Sequence, residues 1–109
     1  MKRGDIWTVA GGADYTGKPR PAIIVQSNKF DATRSVVICP LTATDAAAEL
    51  ARFEITPSRA NGLLIPSYPM VDKITSVPKA KLGYRIGELA ANDIARLNQH
   101  LILFLGLAE

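Results

Sequence analysis

The chain has 109 residues, of which 48% are hydrophobic and 21% charged, with a formal net charge of +3 and a single cysteine. This length predicts one domain over residues 1–109, and the composition excludes a disordered chain. Cys39 alone excludes an internal disulfide. The longest apolar run, residues 101–105, is too short to span a membrane, and the N-terminus lacks the apolar stretch of a signal peptide. We therefore expect a cytoplasmic protein, whose slightly basic charge permits a polyanionic partner.

Short strands are predicted through the first half of the chain. β-branched and aromatic residues indicate a strand at residues 6–9. Residues 11–21 contain three glycines and two prolines, which predict a loop. Continuous apolar runs at residues 22–26 and 36–41 are typical of strands buried on both faces, with a polar turn at 27–29 between them and a break at Pro40. Cys39 is expected to be buried in its strand as a small hydrophobic residue.

The second half of the chain predicts further strands and then a helix. The strand candidates are residues 53–56, 63–72, 74–77 and 84–89, with a turn at residues 61–62. Apolar residues then recur at three- and four-residue steps from Ile94 to Leu105, through Leu97, Leu101 and Phe104, as in an amphipathic helix that packs on a core. Asn92 is the expected N-cap and Gly106 the expected stop. The pattern predicts an α+β domain, in which a small, strongly bent antiparallel sheet or barrel precedes one helix.

The residues that could carry chemistry are few. His100 lies in the predicted helix without another histidine or cysteine near it, and the glycines do not form a nucleotide-binding loop, so we expect neither a metal nor a cofactor. Prolines on both sides of Arg20 would hold its guanidinium with little freedom, which suits phosphate binding. Thr42 and Asp72 each end an apolar stretch. These residues alone leave open a solvated loop arginine, a turn threonine and an exposed strand end.

The motifs in their order resemble the MazF/PemK family of toxin-antitoxin ribonucleases over nearly the whole chain. The resemblance rests on residues 2–7 (Lys-Arg-Gly-Asp-Ile-Trp), 17–27 (Gly-Lys-Pro-Arg-Pro and an aliphatic strand), 36–42 (an aliphatic strand closing on threonine), 61–63 with 70–77, 87–89, and a helix ending at 105–107.

The resemblance implies a fold, an activity and an assembly. The implied fold is a small SH3-like antiparallel β-barrel with a C-terminal amphipathic α-helix, working as a homodimer. The implied activity is that of a growth-inhibiting toxin of a type II toxin-antitoxin system. Such a toxin is a sequence-specific, metal-independent endoribonuclease of single-stranded RNA, with messenger RNA as the expected target. The implied partner is an antitoxin with an acidic C-terminal segment.

The resemblance also implies the cleavage chemistry and its residues. Attack by the 2′-hydroxyl on the adjacent phosphate would leave a 2′,3′-cyclic phosphate and a 5′-hydroxyl. The catalytic arginine and threonine correspond to Arg20 and Thr42, and Asp72 matches an aspartate that some members use. Where some relatives carry an arginine this chain has Met70, and it has no first-loop histidine, so the general base stays open. Since aromatic rings stack on bases and lysines follow the backbone, the expected RNA contacts are Tyr15, Lys18, Asn28, Lys29 and Lys73.

Two alternatives share the predicted fold. A CcdB-like DNA gyrase poison would act through a C-terminal Trp-Gly-Ile ending, but this chain ends in Gly-Leu-Ala-Glu and its only tryptophan is Trp7. A non-catalytic barrel that binds RNA or protein would tolerate Met70. Replacement of Arg20 by alanine separates the enzyme from the binding module, because an enzyme should lose cleavage while its RNA binding stays measurable.

Overall fold

The computed structural model describes residues 1–10, 18–44 and 52–109. Within them six strands form one antiparallel sheet and one α-helix follows it, which confirms the predicted α+β arrangement. The elements are β1 (Asp5–Val9), β2 (Arg20–Ile24), β3 (Ser35–Thr42), β4 (Tyr68–Pro69), β5 (Thr75–Pro78), β6 (Leu82–Glu88) and α1 (Ala91–Phe104). No helix in the described part of the chain is long and apolar enough to cross a membrane.

The sheet runs in the order β4-β3-β2-β1-β6, and β5 also pairs with β3. One edge of β3 pairs with β2, while its other edge pairs first with β5 and then with β4. Among the described strands, β4 and β6 stand at the two ends of this path and do not pair with each other. The antiparallel sheet with a terminal helix is therefore confirmed, whereas strand pairing here leaves the sheet open.

Apolar side chains cover both faces of the central strands. Ile6, Ile23 and Cys39 pack on one face, in a cluster that includes Leu97 and Leu101 of α1. Their strand neighbours point to the opposite face and form a second cluster there, consisting of Val9, Ala22, Ile24, Val36 and Ile38. This double burial is what the continuous apolar runs predicted, and Cys39 is fully buried as expected.

Pro40 does not break its strand, so the predicted break was wrong, while the strand does close on Thr42 as expected. The Pro40 carbonyl accepts the N–H of Met70 at 2.8 Å, on the edge of β3 away from β2. In an antiparallel strand the N–H of a residue points to the same side as its carbonyl, so the missing donor of Pro40 faces that edge too. There β5 stops at Ile38 and β4 starts at Leu41. The proline therefore interrupts no ladder, and β3 continues to Thr42.

Several other predicted boundaries were also wrong. β2 begins at Arg20, inside the predicted loop, and stops at Ile24. Residues 53–56 form only an isolated bridge, in which Ile55 and Ser67 exchange two backbone hydrogen bonds. The expected strand at residues 63–72 shrinks to β4, because prolines at 66 and 69 remove backbone donors. Asp72 consequently lies on a 3₁₀ turn, Val71–Lys73, rather than at a strand end.

The start of helix α1 differs from the prediction, whereas its end agrees with it. Its N-cap is Ala90 and not Asn92, since the chain passes directly from β6 into the first turn without a side-chain cap. Gly106, at φ +68°, ends the helix as predicted, and its N–H bonds to the carbonyl of Leu103. The apolar stripe was expected to be core to its end, but Phe104 and Leu105 are 50% and 48% exposed. The apolar residues at the end of the helix are therefore not part of the core.

Candidate active site

A cavity of about 810 Å³ opens beside the start of β2 and the end of β3. Its other walls come from the segment that follows the turn at Gly62 and from the middle of β6. Strand pairing brings these parts together, because β1 lies between β2 and β6 in the sheet. The cavity therefore collects residues that are far apart in the chain.

Arg20 and Thr42, at the ends of two neighbouring strands, come together in this cavity. Ala22 of β2 pairs with Pro40 of β3, and Arg20 and Thr42 each lie two residues beyond that last pair, at the same end of the two strands. Both residues line the cavity. The Thr42 hydroxyl accepts the backbone N–H of Thr44 at 3.2 Å, which leaves its proton available as a donor. A guanidinium and a hydroxyl donor thus face the same space, as binding of a phosphate group requires.

The described lining of the cavity is cationic and contains no Asp or Glu. Lys18 and Arg20 stand on one side and Arg85 of β6 on the other. Arg85 is held by two carboxylates, with its Nε 3.4 Å from Asp5 and its Nη2 3.3 Å from Glu88. Leucine and isoleucine side chains fill much of the remaining wall. Positive charge next to apolar surface suits a single-stranded polyanion that carries flat, apolar bases.

Asp72 is not among the residues that line the cavity. Its Oδ2 lies 3.7 Å from Nη2 of Arg52, and its Oδ1 is buried without a hydrogen-bond partner. Burial, and to a smaller extent the charge of Asp72, raise the pKa of the Cys39 thiol to about 12. The Asp72 carboxylate therefore lies near Arg52 and Cys39, beside β3, and not in the cavity that Arg20 and Thr42 line.

The predicted RNA contacts divide into three groups. Lys18 lines the cavity beside Arg20. Asn28, Lys29 and Lys73 are exposed but do not line it, and the Asn28 side chain instead accepts the backbone N–H of Arg3 at 2.7 Å. Tyr15 lies outside the described residues. The structure thus brings Lys18, but not the other three described candidates, to the arginine and threonine.

The sequence interpretation overlooked the wall formed by β6. Tyr84, Arg85 and Ile86 all line the cavity, although they were assigned only to a strand. The available signal was an aromatic residue next to an arginine, with glycines at positions 83 and 87 on either side. That signal does not reveal the face to which each side chain points, which depends on strand register.

His100 takes no part in the cavity. Its Nδ1 lies 2.8 Å from the carbonyl oxygen of Arg96, and its ring centroid is 4.6 Å from that of Phe53. These contacts place the ring between α1 and residue 53, as a packing residue. Across residues 1–10, 18–44 and 52–109, no three His, Cys, Asp or Glu side chains are grouped as metal ligands.

Comparison with known proteins gives concordant matches over nearly the whole chain. A family model described as "PemK-like, MazF-like toxin of type II toxin-antitoxin system" matches residues 2–105. The chain is 48% identical over 108 residues to "Probable endoribonuclease MazF" of Mycolicibacterium smegmatis, covering 99% of each chain. It is 29% identical over 116 residues to "Endoribonuclease MazF9" of Mycobacterium tuberculosis, covering 98% of each.

A solved structure has the same fold. It is described as an endoribonuclease in complex with its cognate antitoxin, from mycobacterial species. The two folds superpose with a TM-score of 0.82 at 26% sequence identity, and the match covers 98% of this chain and 96% of that chain.

Proposed function

The chain belongs to the PemK-like, MazF-like toxins of type II toxin-antitoxin systems, and from this premise we propose how its cavity cleaves RNA. It is an endoribonuclease of that family. The proposed substrate is single-stranded RNA, with messenger RNA as the main target, cut at a specific sequence without a metal ion. The observation that carries this proposal is that Arg20 and Thr42 line the same cavity, together with Lys18.

The proposed reaction is an internal displacement at phosphorus. The 2′-hydroxyl loses its proton and attacks the adjacent phosphate, a new 2′-oxygen–phosphorus bond forms, and the bond to the 5′-oxygen breaks. The leaving 5′-oxygen takes up a proton, so the products carry a 2′,3′-cyclic phosphate and a 5′-hydroxyl. Negative charge grows on the non-bridging oxygens during this step. Arg20 stabilises that charge and Thr42 donates a hydrogen bond to the same phosphate.

The proton transfers need a base and an acid. A guanidinium stays protonated at physiological pH and is a poor base, so Arg20 fits charge stabilisation and donation of the proton to the leaving oxygen. We propose Asp72 as a third residue of the reaction. Support comes from its Oδ1, which is buried without a partner and so remains able to accept a hydrogen bond. Its position beside Arg52 means that it would act after a local rearrangement or through water.

The proposed protein partner is an antitoxin with an acidic segment. The related mycobacterial structure is a complex of an endoribonuclease with its antitoxin. In this chain Lys18 and Arg20 line the cavity, and an acidic peptide would meet opposite charge there. Occupation of the cavity by such a segment would exclude RNA.

We propose a homodimer and a cytoplasmic, single-domain protein. Ile102, Leu103, Phe104, Leu105 and Leu107 are all exposed at the end of α1. Exposed apolar residues so close together in the chain mark an interface, and a second copy of this chain is the proposed occupant. We further propose that the sheet corresponds to an SH3-like barrel that hydrogen bonds between β4 and β6 do not close, and the pairing of β3 with three other strands supports this.

Cleavage of a long single-stranded RNA in the presence of EDTA tests the function. The wild-type protein should give discrete cuts with 5′-hydroxyl ends, and Arg20→Ala should lose about 10²-fold or more of the rate while RNA binding stays measurable. Arg59→Ala is the matched control, because Arg59 is an exposed arginine outside the cavity. Intact RNA with several unrelated substrates, or equal activity of the two variants, would overturn the proposal.

A further inference from the structure

Tyr84 is the one aromatic residue among the described residues that line the cavity, and 67% of its surface is exposed. Leu64 and Ile65, on another wall of the same cavity, are 94% and 53% exposed. Exposure of a large ring loses the stabilisation that its burial would give. An exposed aromatic beside exposed aliphatic residues inside a cationic cavity therefore points to a ligand with flat apolar parts.

Two register shifts in β6 direct Tyr84 into the cavity. Val9 of β1 pairs with Leu82 and Trp7 pairs with Arg85, so two steps along β1 correspond to three along β6. A second shift follows between Trp7 and Ile6. Neighbouring side chains of a regular strand point to opposite faces, but a bulge changes their directions. This explains how Tyr84, Arg85 and Ile86 all line one cavity.

The backbone that carries Tyr84 is held firmly. The N–H of Tyr84 donates to the buried Thr8 hydroxyl at 3.0 Å. A Cβ on Gly83 would lie 2.3 Å from the same hydroxyl oxygen, and a Cβ on Gly87 would lie 2.4 Å from the carbonyl oxygen of Ala60. Only glycine fits at either position without a shift. These contacts define the backbone path around Tyr84 without a ligand, and a preformed site lowers the entropic cost of binding.

The sheet sets the spacing between Tyr84 and the proposed catalytic residues. Thr8 of β1 pairs with Pro21 of β2 on one side, and the bulge of β6 lies on its other side. Tyr84 and Arg20 are therefore separated by two inter-strand spacings, about 10 Å between backbones. Both residues line the same cavity. One or two nucleotides of single-stranded RNA can span the distance between them.

We propose that Tyr84 is a specificity-determining residue, whose ring stacks on a nucleobase next to the phosphate that Arg20 and Thr42 bind. The inference rests on the proposed function, because it assigns a base position relative to the cleaved phosphate. Tyr84 makes no contact with the reacting atoms. It holds the substrate, so its loss acts on substrate binding and on base preference and leaves the chemical step intact.

Steady-state cleavage of a short oligoribonucleotide that contains the mapped cut site tests this. Tyr84→Ala and Tyr84→Leu should raise KM about 5- to 150-fold with little change in kcat, and should relax the preference for one base beside the cut. Tyr84→Phe keeps the ring and should resemble the wild type. Phe30→Ala is the matched control, since Phe30 is a 63% exposed aromatic outside the cavity. Unchanged KM and base preference in Tyr84→Ala, or an equal loss in Tyr84→Phe, would overturn the inference.

Binding of a 2′-O-methyl oligoribonucleotide separates this inference from the proposed function. Methylation blocks the attacking hydroxyl but keeps the bases, and fluorescence anisotropy gives the Kd. If the wild type cleaves RNA but Tyr84→Ala changes neither KM, base preference nor the Kd for the methylated strand, the inference is overturned and the proposed function stands. A wild type that cuts no RNA, but binds the methylated strand more tightly than Tyr84→Ala does, would overturn the proposed function and leave Tyr84 as an RNA-binding residue without a part in cleavage. A wild type that neither cuts RNA nor binds the methylated strand would overturn both the proposed function and the inference.

Discussion

Replacement of Gly62 by alanine would strain the cavity wall in two ways. Gly62 has φ +67°, a left-handed conformation that costs an alanine about 1–2 kcal/mol. Its added Cβ would also lie 2.4 Å from the carbonyl oxygen and 2.7 Å from Cγ2 of Ile86. Overpacking of this kind costs about 1–3 kcal/mol. The expected loss in the free energy of unfolding is therefore about 2–5 kcal/mol, the sum of the two effects.

Gly106→Ala is a matched control for the backbone contribution. Gly106 has φ +68°, but the nearest atom to its added Cβ is the Glu109 carboxylate oxygen at 3.1 Å, at the end of a flexible side chain. The expected loss is about 1–2 kcal/mol. Urea unfolding of both variants at one protein concentration measures the difference, because the concentration affects any dimer. Equal losses would refute the reasoning, since they would mean that Ile86 moves aside at no cost.

Three further predictions concern the site, the surface and the core. Asp72→Asn should lower the RNA cleavage rate by about 10²-fold, and the exposed Asp31→Asn should not; equal rates would remove Asp72 from the reaction. Leu103→Glu should shift the protein from dimer to monomer in sedimentation velocity, because Leu103 is 74% exposed among the apolar residues at the end of α1. An unchanged dimer would place the interface elsewhere. The raised pKa of Cys39, about 12, keeps the thiol protonated, so at pH 8 a thiol reagent should modify it only when the protein unfolds. Fast labelling of the native protein would contradict the burial of Cys39. Above about pH 9 the thiol ionises in the unfolded chain but not in the folded one, so this group should lower the free energy of unfolding as pH rises.

Local sequence signals predicted the central strands because burial there is symmetrical. β1, β2 and β3 have apolar clusters on both faces, and a run of β-branched residues reports this directly. The signal failed where tertiary pairing decides. Pro40 reads as a strand breaker, but it sits in β3 at a point where no neighbour needs its N–H. Asn92 is a residue type that favours the N-cap position, but the path of the chain from β6 makes Ala90 the N-cap.

Sequence motifs pointed to those site residues that lie within the motifs. They did not point to residues that reach the cavity only through strand register. The prolines around Arg20 and the strand end at Thr42 singled out two residues that now line one cavity. The position of Asp72 was less accessible, since it depends on a 3₁₀ turn that replaces a predicted strand. Tyr84 was missed because a bulge, which a single sequence does not reveal, turns its side chain into the cavity.

The irregular pairing of β6 also bears on how the protein avoids aggregation. Of the described strands, β6 pairs with β1 alone, so its other edge is a potential template for strands of other molecules. Its two register shifts break the even spacing of backbone donors and acceptors along that edge. Arg85 and Glu88 add exposed charges there, and the Glu88 N–H is already bonded to the carbonyl of Ala60 at 2.9 Å. The distortion that shapes the cavity wall thus also makes the edge a poor site for intermolecular strand addition.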